Sequence, residues 1–157
     1  MAGNQKAEGP AVSFFDDLVR YETRLYNALD SRLRERHGLV TSQFEFLRYL
    51  RDHPGARVAD LAATFAIGVG ATSKGIDRLD GRGWVTRAPN PADRRSSLLF
   101  LTASGARLVE DAERTFAQRL HELTTLLATP AQLAPAAATL SLLRRALERD
   151  QIGTPTG

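Results

Sequence analysis

Between residues 13 and 36, apolar side chains return every three or four positions, at Phe14, Leu18, Tyr21, Leu25, Leu29 and Leu33. That spacing predicts one amphipathic helix, with Gly38 as its stop. A second helix is expected from Thr41, read as its N-cap, with Phe44, Leu47 and Leu50 facing inward, Phe46 and Tyr49 widening the face, and "HPG" at His53 to Gly55 breaking it. The rhythm then shortens. A brief extended "ARV" leads to a third helix over 59–66, the "IGVG" break, and a fourth over 70–82. Two short helices joined by a glycine turn read as a helix-turn-helix.

After Gly83 the period changes to two. "WVTRAP" alternates, "NPADRRSS" is a polar turn, and "LLFLT" is apolar again, which together predict a β-hairpin with Arg94 and Arg95 at its tip. Thr102 can cap a long helix striped by Leu108, Val109, Ala112, Phe116, Leu120, Leu123 and Leu127. Thr129, Pro130 and Gln132 supply an N-cap, a first-turn proline and a capping-box partner for a last helix carrying Leu133, Leu140, Leu143 and Leu147. The apolar faces of the first, fifth and last helices exceed what one small core can cover. Pairing of two copies across a two-fold axis is the expected solution, the alternative being a monomer whose long helices fold back on its own core.

Composition narrows the chemistry. The chain has no cysteine, so disulfides, thiolate metal sites and thiol redox switching are excluded. No apolar run is long enough to span a bilayer and the N-terminus has no signal-like core, so the reading is a soluble cytoplasmic protein with no membrane partner. His37, His53 and His121 stand apart without metal-ligand spacing. No nucleophile and base pair stands out either, so neither a metal, a cofactor nor an enzyme activity is expected.

Charge distribution says more than the total. Between Gly68 and Arg95 lie Lys74, Arg78, Arg82, Arg87, Arg94 and Arg95 against Asp77, Asp80 and Asp93, a local excess of three that equals the formal net charge of +3 for the whole chain. The same stretch, "AIGVGATSKGIDRLDGRGW", places three glycines around a lysine, as a phosphate loop would. The order is wrong for one. Counting from Gly68, Ser73 stands where that loop needs glycine and Gly75 where it needs the magnesium-binding hydroxyl. A buried strand should also precede it, and here a helix does.

The stretch Leu61 to Thr102, "LAATFAIGVGATSKGIDRLDGRGWVTRAPNPADRRSSLLFLT", resembles the MarR family of winged helix-turn-helix transcriptional regulators. "DRLDGRGWVTR" is similar to that family's recognition-helix exit and first wing strand, and "NPADRRSSLLFLT" to its wing tip and second strand. The resemblance implies a mainly α fold with a small β-hairpin wing. Residues 41–102 would form the winged helix-turn-helix DNA-binding domain, 13–40 and 103–150 the N- and C-terminal dimerisation helices, 1–12 a disordered tail and 151–157 a frayed one.

It also implies a function, that of a homodimeric regulator, of repressor type, on double-stranded DNA with a pseudo-palindromic operator. Gly70, Thr72, Ser73, Lys74 and Arg78 map onto the helix that enters the major groove. Asp93, Arg94 and Arg95 map onto the wing, with Arg95 in the minor groove and Asp93 orienting it. The entry "GVGA" lacks the long polar side chain that relatives commonly place there, so phosphate contacts and DNA shape gain weight. Relatives often bind a small-molecule effector, for which Tyr21, Arg24, Tyr26, Phe46, Tyr49 and Trp84 are the candidate lining. The competing reading is a protein-interaction module whose winged domain no longer reads DNA.

Overall fold

The computed structural model describes residues 9–125 and 128–155. Helix α1 (Pro10–His37) begins ahead of the expected start at residue 13, because Pro10 sits in the first turn with its φ preset and Gly9 is the cap. Residues 9–12 of the expected tail are therefore cap and first turn, and residues 1–8 lie outside the described residues. Gly38 ends the helix at φ 63°, donating its N–H to the Arg34 carbonyl at 3.0 Å. This left-handed exit is the reason for a glycine there.

Helix α2 (Thr41–Asp52) corrects the expected cap. Val40 holds the cap position, and Gln43 Oε1 accepts the Val40 N–H at 3.1 Å. Thr41 is one residue further in, buried, and its N–H donates to Asp30 Oδ1 of α1 at 2.8 Å. A carboxylate from another helix thus does what the threonine hydroxyl was expected to do.

Helices α3 (Val58–Phe65) and α4 (Val69–Gly81) follow, joined through Ala66 in a left-handed conformation at φ 51°. Asp60 Oδ2 accepts the Arg57 N–H at 2.8 Å and starts α3 one residue early relative to the pattern. Strands β1 (Val85–Pro89) and β2 (Ser97–Leu101) pair antiparallel, Val85 opposite Leu101 and Pro89 opposite Ser97. The extended residues before α3 join them. Ala56 bridges Leu99, with Leu99 N–H donating to the Ala56 carbonyl at 2.9 Å.

Helix α5 (Ala103–Thr125) is capped as the pattern predicts, Gly105 N–H donating to Thr102 Oγ1 at 3.1 Å. Of its stripe, Val109 and Ala112 are buried, Leu108, Phe116, Leu120 and Leu123 half-buried, and Leu127 lies outside the described residues. Helix α6 (Pro130–Arg149) starts as expected at Thr129, whose N–H donates to Gln132 Oε1 at 2.9 Å.

The core lies where α2, α4, the hairpin base and α5 converge, built from Phe44, Leu47, Leu50, Leu61, Ile76, Leu79, Val85, Leu99, Val109 and Ala112. Each large aliphatic among them contributes about 1.5–3 kcal/mol on burial. Phe44 packs on Phe116 with ring centroids 4.9 Å apart, and the Arg48 guanidinium covers both rings. Arg51 of α2 pairs with Glu113 of α5, which holds that carboxyl below its ordinary range. A mainly helical fold with a two-stranded hairpin results, with the helix-turn-helix and the hairpin that the pattern predicts and the winged arrangement that the resemblance implies.

Helix α6 has no buried residue. Leu140, Leu142, Leu143 and Leu147 are exposed along it, as are Val12, Phe14, Phe15 and Val19 at the start of α1. Among the described residues no single helix is long and apolar enough to cross a membrane.

Candidate nucleic-acid interface

Helix α4 is three-faced. Thr72, Ile76 and Leu79, spaced four and three apart, are its buried residues and fix its rotation against the core. On the opposite side, by the same 3.6-residue period, stand Gly70 and Lys74, both exposed, with Arg78 a turn beyond Lys74 and also exposed. Ser73 is half-buried beside them.

This rotation corrects one expected contact. Thr72 is 1% exposed, and its hydroxyl donates to the Gly68 carbonyl at 3.1 Å. It is a core and turn residue and cannot reach a base. The other α4 candidates keep outward positions. Gly75 keeps α4 close to α2, since a Cβ there would come within 2.9 Å of the Phe46 ring.

The hairpin tip is held by its own side chains. Asn90, 9% exposed, accepts the Ala92 N–H through Oδ1 at 3.0 Å and donates through Nδ2 to Ser96 Oγ at 2.8 Å. Asp93 Oδ1 accepts the Arg95 N–H at 3.0 Å. The aspartate therefore orients Arg95 through its backbone, as an Asx turn does, and leaves the guanidinium free of it. Asp93 forms no ion pair with the described residues. Asn90 was absent from the expected site, though asparagine before proline is a turn signal that could have marked it.

Pairing sorts the cations. Arg87 Nη2 donates to Asp77 Oδ1 at 2.6 Å, and Arg87 Nε lies 3.6 Å from Asp80 Oδ2. The two α4 aspartates are thereby taken up by the hairpin and not by Arg78. Arg82 stacks over Trp84, 4.4 Å from the ring centre. Lys74, Arg78, Arg94 and Arg95 form no ion pair with the described residues. The outward row of α4 and the hairpin tip therefore both carry exposed positive charge, the arrangement that anionic phosphates and groove edges require.

The hairpin base is locked to α5. The hydroxyls of Thr102 and Ser104 both donate to the Gly83 carbonyl, at 2.6 and 2.9 Å, and Thr102 N–H donates to the Trp84 carbonyl at 3.0 Å. Gly105 lies so close that a Cβ would stand 2.0 Å from the Trp84 carbonyl oxygen.

The six side chains expected to line an effector pocket are divided between the core and the surface. Phe46 is buried with its ring 5.3 Å from Phe65, Tyr49 stacks on His53, and Trp84 lies under Arg82. Tyr21 and Arg24 are exposed on α1, and Tyr26 is half-buried. Phe46, Tyr49 and Trp84 pack in or against the core. A cavity of about 1270 Å³ instead lies among Phe14 and Leu18 of α1, Phe65 and Ala66, and Leu143 and Leu147 of α6. Among the described residues no cluster of histidine, aspartate and glutamate is arranged to hold a metal ion.

Comparison with known proteins agrees with this geometry. The MarR family model matches residues 37–96. The HTH-type transcriptional repressor NicR of Pseudomonas putida is 36% identical over 114 residues, covering 72% of this chain and 69% of NicR. The multiple antibiotic resistance protein MarR of Escherichia coli is 33% identical over 87 residues, 55% of this chain, and the match spans only 60% of that protein's length. Among solved structures, a cysteine-to-serine mutant of E. coli MarR complexed with operator DNA superposes with a TM-score of 0.77 at 26% identity, covering 85% of this chain and 94% of that one. On the fold, the α4 and hairpin geometry and the match to NicR together, the chain belongs to the MarR family of transcriptional regulators.

Proposed function

We propose that this protein is a DNA-binding repressor that reads a pseudo-palindromic operator as a homodimer, with α4 in the major groove and the hairpin tip in the minor groove. The observation that carries the reading is the sorting of charge. Cations without an ion partner occur on α4 and at the hairpin tip, while the neighbouring arginines are neutralised or stacked. Lys74 and Ser73 reach base edges or phosphate, Arg78 reaches phosphate, and Arg95 enters the minor groove, where a guanidinium gains from narrow, A·T-rich segments. That E. coli MarR has been crystallised on operator DNA and that NicR is named a repressor support the same reading.

Homodimerisation follows from the unpaired apolar faces of α1 and α6. Two copies joined there would set two α4 helices about 34 Å apart, one DNA turn. With "GVGA" at the entry of α4, few long side chains are available for base readout, so DNA shape carries part of the specificity.

Selection of bound sequences from random duplex DNA tests the proposal. Enrichment of an inverted repeat with half-sites about 10 base pairs apart is expected. Enrichment of a single half-site, or of nothing, overturns it.

A further inference from the structure

Arg87 has a place in the interface that its position in the sequence conceals. On β1 its side chain follows Val85 on the same face of the strand, and Val85 is 1% exposed against the core. Where that apolar contact ends, the contact between β1 and α4 continues as charge, Arg87 reaching Asp77 at 2.6 Å and Asp80 at 3.6 Å. The two aspartates are three residues apart on the flank of α4 that also carries Ser73. Arg87 is 28% exposed, while its partners Asp77 and Asp80 are 64% and 47% exposed. Neither aspartate makes another ion pair with the described residues.

The two elements that carry Lys74, Arg78, Arg94 and Arg95 are thus fastened to each other by one guanidinium that is hydrogen-bonded to Asp77 and lies in charge contact with Asp80. A planar fork holds an angle in a way that a single ammonium contact does not. The hairpin's remaining anchors lie at its base, at Gly83, Trp84 and Thr102, and at the Ala56 bridge to Leu99. Only Arg87 ties the outer part of β1 directly to α4 among the described ion pairs.

We propose that Arg87 is a positioning residue that sets the angle between α4 and the wing, so that Lys74 and Arg95 engage one duplex at a fixed spacing. It acts on specificity through geometry and touches no DNA itself. The inference rests on the DNA-binding reading above for its consequence, but the clamp can be observed without DNA.

Two measurements on the whole 157-residue chain separate these. Because the chain lacks cysteine, Ala63→Cys and Ala92→Cys place one spin label on α3 and one on the wing, and double electron–electron resonance, with labelled protomers diluted into unlabelled ones, reads the distance between them. Arg87→Gln is expected to broaden that distribution at least twofold, and Arg87→Lys to broaden it less. In parallel, affinities are measured for a selected operator and for the same duplex with its wing-contacted A·T pairs changed to G·C. The wild type is expected to lose about tenfold or more on that change, and Arg87→Gln less than about threefold, while base changes under α4 cost both proteins equally. An unchanged distance distribution in Arg87→Gln overturns the clamp, and so does full retention of wing discrimination. A wild type that discriminates between no duplexes, with the distribution still broadening on substitution, instead overturns the DNA-binding reading and leaves the clamp as a structural contact.

Discussion

Gly105→Ala is the substitution whose cost the structure fixes most closely. The added methyl would stand 2.0 Å from the Trp84 carbonyl oxygen, and carbon and oxygen approach to about 3.3 Å at best. The start of α5 and the first wing residue must therefore separate by about 1.3 Å. Neither side can yield by rotating a side chain, because both are backbone, and the Trp84 carbonyl is held by the Thr102 N–H at 3.0 Å. Overpacking of this kind costs up to about 3 kcal/mol. Alanine's higher helix propensity offsets about 1 kcal/mol of it. The net loss of about 2 kcal/mol lowers Tm by about 4–8 °C in a domain of this size. Gly81→Ala is the matched control, since a Cβ there meets nothing within 4 Å, and it gains up to about 1 kcal/mol. Thermal denaturation followed by circular dichroism, at one fixed protein concentration, reads both. A Gly105→Ala protein as stable as the wild type would refute the close-packing argument and with it the claim that α5 fixes the wing base.

Further predictions follow from other parts of the molecule. Arg95→Ala should weaken operator binding by tenfold or more at fixed salt, and Arg94→Ala by less, with gel-shift or anisotropy titration as the readout; equal small effects would remove the wing from the groove. Burial pushes the Glu45 carboxyl above its ordinary range, Arg48 partly opposing and Glu22 adding to the shift. An acid whose folded pKa is raised costs nothing below its unfolded value and costs stability as pH rises through the folded one. Glu45→Gln should therefore raise Tm at pH 7 and leave it unchanged near pH 4. Leu143→Glu and Leu147→Glu, at positions 45% and 50% exposed on α6, should convert a dimer to monomers in analytical ultracentrifugation without loss of helical signal. A dimer that survives both changes would move the interface away from α6.

The elements were legible because their periods are clean. Thr72, Ile76 and Leu79 share one side of α4, and Val85 to Leu101 alternate across a hairpin. The helix-turn-helix and the wing could be placed from these patterns within a residue or two. Caps were less legible where the donor or acceptor came from elsewhere. Asp30 reaches Thr41 across the space between α1 and α2, and nothing local to Thr41 announces it. On α4 the exposed positions of Lys74 and Arg78 follow from the helical period, and the same period puts Thr72 beside Ile76 and Leu79, where the core takes it. The aromatic residues expected around an effector failed for the same reason: Phe46 and Tyr49 sit on the apolar face of α2, and the core claimed them. Arg87 was visible as charge, but its partners on α4 emerge only when strand and helix are brought together.

Equilibrium binding of the selected operator and of a scrambled duplex across a salt series decides whether this protein reads DNA sequence. The operator is expected to bind tighter by ~4 kcal/mol or more, and both affinities to fall steeply with salt, as lysine and arginine contacts to phosphate demand. Equal affinity for both duplexes, or no binding to either, would contradict that expectation.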